Sequence, residues 1–125
     1  MIAEQLPLVR QVDLVFKEIF DELSCLSSGI VFLQIRNNIV GKFKVRHDPI
    51  EAQDGNVNKP VKGLTETQVF SFRKMAIQSL KHKTNWTHGE IYFEFAVKKN
   101  MLISSVQFES NYNMANIMLR SKRMR

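Results

Sequence analysis

The stretch running from Glu90 to Glu109, "EIYFEFAVKKNMLISSVQFE", constrains this chain more than any other. A two-residue turn at Lys99-Asn100 sets Ile91 opposite Phe108, Phe93 opposite Val106, Phe95 opposite Ser104 and Val97 opposite Leu102. The other side then carries Tyr92 with Gln107, Glu94 with Ser105, Ala96 with Ile103 and Lys98 with Met101. Successive side chains of a strand point to opposite faces, so one face becomes apolar on both strands at once. Turn and pattern agree, and the segment reads as an antiparallel hairpin.

A second hairpin is expected at about 30–36 and 39–47, around the positive-φ-tolerant pair Asn37-Asn38. Its second strand alternates, with Phe43 and Val45 on one side and Lys42, Lys44 and Arg46 on the other. Its first strand is apolar on both sides, which leaves the register open. A two-residue loop pairs Phe32 with Phe43, whereas a three-residue loop pairs Leu33 with it. A slip of one residue exchanges the faces.

Helical periodicity frames both hairpins. Leu8, Val12, Val15, Phe16, Ile19, Phe20, Leu23 and Leu26 recur at helical spacing, with Pro7 suited to the first turn and Ser24 to Gly29 as the stop. Thr65 and Gln68 form a capping box ahead of a stripe of Val69, Phe72, Ala76 and Leu80, which predicts a helix over about 66–82. A short helix containing Met114, Ile117, Met118 and Leu119 should follow Ser110 or Asn111. Residues 48–63 hold two prolines and two glycines and read as one long loop, while the basic tail 120–125 is expected to fray. The order αββαββα predicts a single α+β domain over 1–125, an antiparallel sheet of two hairpins with helices on one face. The αββαββ part resembles a duplicated αββ unit.

Charge and cysteine usage narrow the setting. The net charge is +6, unevenly spread: residues 1–28 sum to −3 and the rest to +9. A basic balance can attract nucleic acid, an anionic membrane or an acidic protein. No apolar run approaches the roughly 18 residues of a membrane span. No secretion signal pattern opens the chain, and a single cysteine excludes an internal disulfide, so a cytoplasmic location is expected. Cys25 follows an apolar helical stripe and reads as a core cysteine.

Candidate chemistry is sparse. Glu90 and Glu94 share a strand face roughly 13 Å apart along the strand. Paired carboxylates of glycoside hydrolysis sit about 5–9.5 Å apart, so a solvated strand face is the better account. His47, His82 and His88 show no metal-ligand spacing with one another or with Cys25. There is no glycine-rich phosphate loop and no nucleophile elbow. No catalytic residue, metal or cofactor is assigned. Two binding surfaces remain. Tyr92, Glu94, Met101, Ile103 and Gln107 would present a mixed outer face to a protein partner. Alternatively, Lys42, Lys44 and Arg46 with the tail residues Arg120, Lys122, Arg123 and Arg125 would meet nucleic-acid phosphates. A homodimer through an edge strand or the Met-rich C-terminal helix is a further option.

Residues 70–113, "FSFRKMAIQSLKHKTNWTHGEIYFEFAVKKNMLISSVQFESNYN", carry a resemblance as well. A helix, then Trp86 just ahead of an aromatic-rich hairpin, then polar Tyr and Asn residues, is similar to the YezG-like immunity protein family. The first helix and hairpin agree with it in arrangement only. The resemblance implies a small bacterial protein that neutralises a toxin by stoichiometric binding. Members of that family are usually acidic and continue for a longer C-terminal region. This chain is basic and closes on "RSKRMR", which suits an acidic partner surface.

Overall fold

A computed structural model describes residues 6–58 and 62–123, the side chain of Arg123 excepted. Chain order is α1 (Leu8–Glu18), α2 (Phe20–Leu23), β1 (Ser28–Arg36), β2 (Ile39–His47), β3 (Ala52–Gln53), β4 (Asn56–Val57), α3 (Glu66–Ser79), a 3-10 turn (Leu80–His82), β5 (His88–Lys98), β6 (Met101–Ser110) and α4 (Met114–Arg123). β2-β1-β5-β6 make one antiparallel four-stranded sheet, and β3-β4 a miniature one. The fold is α+β.

The expected register of the β5–β6 hairpin holds residue for residue, from Lys98 opposite Met101 out to Gly89 opposite Ser110. Lys99 and Asn100 sit at φ 51° and 63°, the mirror-image turn that matches the twist of the flanking strands. Asn37 and Asn38 adopt the same pair of values. The first hairpin therefore has the two-residue loop, yet Leu33 and not Phe32 pairs with Phe43. A bulge reconciles the two: Ile35 faces Val40 but Leu33 faces Phe43, so Gly41 and Lys42 together oppose Gln34. Along β1, Phe32 points outward, and Val31, Leu33 and Ile35 inward.

Both main helices lie on that inner face. Val12, Val15, Phe16 and Ile19 of the first helical run and Val69, Phe72 and Ala76 of α3 bury themselves against Val31, Leu33, Ile91, Phe93 and Phe95. The aromatic rings interlock: Phe16 meets Phe72 edge-on at 5.3 Å and Phe93 at 6.0 Å, and Phe72 meets Phe95 at 4.9 Å. Burying one such side chain contributes about 1.5–3 kcal/mol. An Asp13–Arg73 ion pair joins α1 to α3. Thr65 and Gln68 close the reciprocal capping box as the sequence predicts. The first helix breaks once, at Ile19 (φ −96°, ψ 7°), while Ile19 N–H still bonds Val15 and Leu23 N–H still bonds Ile19.

Trp86 is the keystone between the hairpins. Its backbone N–H donates to Asn38 Oδ1 (3.0 Å), its indole N–H donates to the Lys83 carbonyl (3.2 Å), and its ring meets Phe108 edge-on. In return Asn38 N–H donates to the Trp86 carbonyl and Asn37 N–H to that of Thr87. Gln11 completes the junction from α1, donating to the Asn38 carbonyl and accepting from Val40 N–H at 2.7 Å. Trp86, 2% exposed, thus ties the first hairpin's turn to the second hairpin. It also explains Gly89, where a Cβ would lie 2.5 Å from the indole and 2.3 Å from the Glu109 carbonyl.

Three expectations are corrected. The 48–63 segment is not structureless: Asp54-Gly55, both at positive φ, turns the β3–β4 hairpin. Asp-Gly between short extended pieces was the available signal. Cys25 is exposed rather than buried, because Leu23 and Leu26 take the inward positions on either side of it. Residues 120–122, read as the start of a tail, are helical and belong to α4. Arg125 and the side chain of Arg123 lie outside the described residues.

Candidate functional site

Among the described residues, neither α1 nor α3 covers the opposite, outer face of the four-stranded sheet. β1 contributes Ile30, Phe32, Gln34 and Arg36, and β5 contributes Tyr92, Glu90 and Glu94. β1 pairs with β5 so that Phe32 stands opposite Tyr92 and Ile30 opposite Glu94. On the other side of β1, β2 brings Lys44 opposite Phe32 and Arg46 opposite Ile30. β6 supplies Ser105 opposite Glu94, Gln107 opposite Tyr92 and Glu109 opposite Glu90.

Three zones result. Cations of β2 line one margin: Lys42, Lys44 and Arg46. Carboxylates of β5 and β6 line the other: Glu90, Glu94 and Glu109. Between them Phe32 and Tyr92 meet with ring centres 5.2 Å apart and planes tilted by 55°, and the Lys44 ammonium sits 5.0 Å from the Phe32 ring centre. An aromatic pair of this kind contributes about 0.5–1.5 kcal/mol beyond burial, and an exposed cation–π contact about 0.5–1 kcal/mol. Loss of solvent around Tyr92 pushes its hydroxyl above the ordinary 10.0, with Glu109 and then Glu90 adding to the shift and Arg46 opposing it. A shallow depression of about 410 Å³ opens there, lined by Arg46, Tyr92, Glu94, Gln107 and Glu109 among others.

The two binding sets read from sequence therefore merge in part. Tyr92, Glu94 and Gln107 share the depression with Arg46. Ile103 and Met101, both exposed, lie further along β6 toward the hairpin tip. Lys42 sits at the bulge, beyond Lys44. Arg120 lines a separate groove with Arg36, His88 and Tyr112, at the far end of the sheet from Lys44 and Arg46. Lys122 is exposed on α4. Phe32 and Glu109 were missed. The face of Phe32 stays open in the sequence because its own strand is apolar on both sides; its pairing with Tyr92, sixty positions away, gives it an outer place.

Other groups weighed for chemistry sit apart. Glu90 accepts from Asn111 Nδ2 at 2.8 Å and Glu94 is exposed on the same open face. His47 meets Glu22 at 2.6 Å, tying β2 to α2, and His88 accepts from Arg36 Nε. Among the described residues no cluster of three or more His, Cys, Asp or Glu is placed to hold a metal ion.

These features define a class: a two-layer α+β domain whose sheet has one helix-covered face and one open, charge-zoned face. Comparison with protein-family models, curated proteins and solved structures finds no match for the chain. No helix among the described residues is long and apolar enough to cross a membrane.

Proposed function

We propose that this chain is a non-catalytic protein-binding module that neutralises a bacterial toxin in the cytosol by stoichiometric binding, as its resemblance to YezG-like immunity proteins implies. One observation carries the reading: an uncovered sheet face with the Phe32–Tyr92 pair at its centre, cations on one margin and carboxylates on the other. An apolar centre with a polar rim is how protein interfaces are built. Binding energy concentrates in a few central residues, with aromatic and Arg side chains over-represented. Tyr92 and Arg46 fit that role, with Glu94 and Gln107 setting orientation. Inhibition follows from covering the partner's own active site.

The test pairs the chain with the product of a genetically linked toxin gene. Co-expression restores growth, calorimetry gives a fixed stoichiometry, and Tyr92→Ala weakens binding by about 30-fold or more. Absence of any linked toxin, or affinity indifferent to Tyr92→Ala, overturns the reading.

A second reading rests on Lys42, Lys44 and Arg46 along one strand, at about 6.6 Å intervals. It makes the chain a nucleic-acid-binding accessory protein, with Phe32 and Tyr92 as stacking platforms. Glu90, Glu94 and Glu109 on the same face repel a phosphate backbone, which is why it ranks second. It requires binding that falls steeply with salt; affinity unchanged between low and high salt removes it.

A further inference from the structure

The two edges of the sheet are unequally protected. β2 is blunted in the ways natural edges usually are. It carries a bulge at Gly41-Lys42, three cations, and a Val40 N–H already occupied by Gln11. β6 has none of these. It runs straight from Met101 to Ser110 in unbroken register with β5, without Lys, Arg, Pro or bulge, and Glu109 is its one charged residue.

The phase of the hairpin decides which β6 groups face outward. With a two-residue turn, Met101 and alternate residues after it bond β5, leaving Leu102, Ser104, Val106 and Phe108 to the free edge. Two flanking bonds agree with that phase: Asn111 N–H to the His88 carbonyl, and Val97 N–H to that of Ser27, each 2.8 Å. Among the described residues, nothing hydrogen-bonds the outward N–H and C=O groups of these four residues. Such a row is a template for another strand.

We propose that β6 pairs antiparallel with β6 of a second copy of this chain, about a two-fold axis near Ser105, to join two four-stranded sheets into one of eight. The strand's own pattern selects this occupant. About that axis Leu102 meets Phe108 on the inner face and the small Ser104 meets Val106, each twice. Lys98 and Lys99 stand at one end of the strand and Glu109 at the other, so antiparallel self-pairing sets opposite charges together at both ends. Parallel pairing would set like charges together. The symmetry is isologous, the commonest form of soluble dimer. Both open faces then lie on the same side of the joined sheet, and one dimer presents two copies of the Tyr92 depression. This dimer stands independently of the toxin-binding reading.

Light scattering behind size exclusion tests it, together with amide exchange. The expected mass is twice the 14.6 kDa of one chain, with the amides of Leu102, Ser104, Val106 and Phe108 protected and that protection lost on dilution. Ser104→Pro removes an outward N–H that makes no bond within the protomer. It should yield the single-chain mass with an unchanged circular dichroism spectrum. Ser105→Cys, in a Cys25→Ser background, should cross-link two chains on mild oxidation, because a non-hydrogen-bonded antiparallel pair holds its Cα atoms at about 4.5 Å, within disulfide range. A single-chain mass at every concentration overturns the proposal. So does a doubled mass in which Ser105→Cys fails to cross-link, since another surface then holds the copies together.

Discussion

The inner and outer faces of the sheet are made by the same strands, residue by alternate residue, and their fates differ completely. Val31, Leu33, Ile91, Phe93 and Phe95 point inward and are at most 1% exposed beneath the two helices. Phe32 and Tyr92 stand one residue away along β1 and β5, point outward, and are only partly covered, chiefly by each other and Lys44. An aromatic ring on the inner face is held by close packing and stabilises the fold. One on the outer face touches few neighbours, so its apolar surface is free to meet a partner. Tolerance to substitution should therefore change sides from one residue to the next.

The largest effect should come from breaking the inner side. Phe93→Ala should cost about 3–5 kcal/mol, a large part of the ~5–15 kcal/mol that holds a domain folded. Phe32→Ala should cost about 1 kcal/mol, the scale of its aromatic contact. Chemical denaturation midpoints with a common slope measure both. Equal losses for the two residues would show that the outer face is part of the core.

Next in size is the junction that holds β2 in place. Gln11→Ala leaves the partly buried Val40 N–H without its acceptor and frees α1 from the Asn38 carbonyl. A loss of about 1–3 kcal/mol is expected by denaturation, the usual cost of an orphaned buried donor. A change near zero would mean that solvent satisfies that edge and that β2 needs no such guard.

The smallest effect sharpens the electrostatics of the open face. In the folded chain Tyr92 ionises above 10.0, first through loss of solvent and then through Glu109 and Glu90. Unfolding returns it to about 10. The folded state thus holds the phenolic proton more tightly than the unfolded one. Its contribution to stability is present below the unfolded value and is lost as pH climbs through the folded one. Phenolate absorbance in a Tyr112→Phe background should rise later than for free tyrosine, and Glu109→Gln should move the curve back toward 10. An unshifted curve would remove the acidic margin from the depression.

Much of this architecture could be read from residues alone. The β5–β6 pairing follows from one turn and one alternation, both local, and it is right at every position. The capping box of α3 and the apolar stripes of α1 and α3 are equally local. What stays open or goes astray lies where two local rules compete. Asn37-Asn38 favours a two-residue loop while the core requires Leu33 opposite Phe43, and the bulge at Gly41-Lys42 satisfies both. Gly41, a break in an otherwise alternating strand, was the sign of it. Cys25 follows the helical stripe in number but lies past the end of α2, where the chain has already turned toward β1.

Secondary elements, their caps and the in-or-out sense of residues 91–108 are short-range properties, set by turn geometry and by a repeat of two or 3.6 residues. No such repeat says that β1 lies beside β5. That neighbour relation links segments about sixty residues apart, and it arises because both hairpins bury their apolar sides under the same pair of helices. It alone puts the basic strand and the acidic hairpin on one surface, with Phe32 against Tyr92 between them.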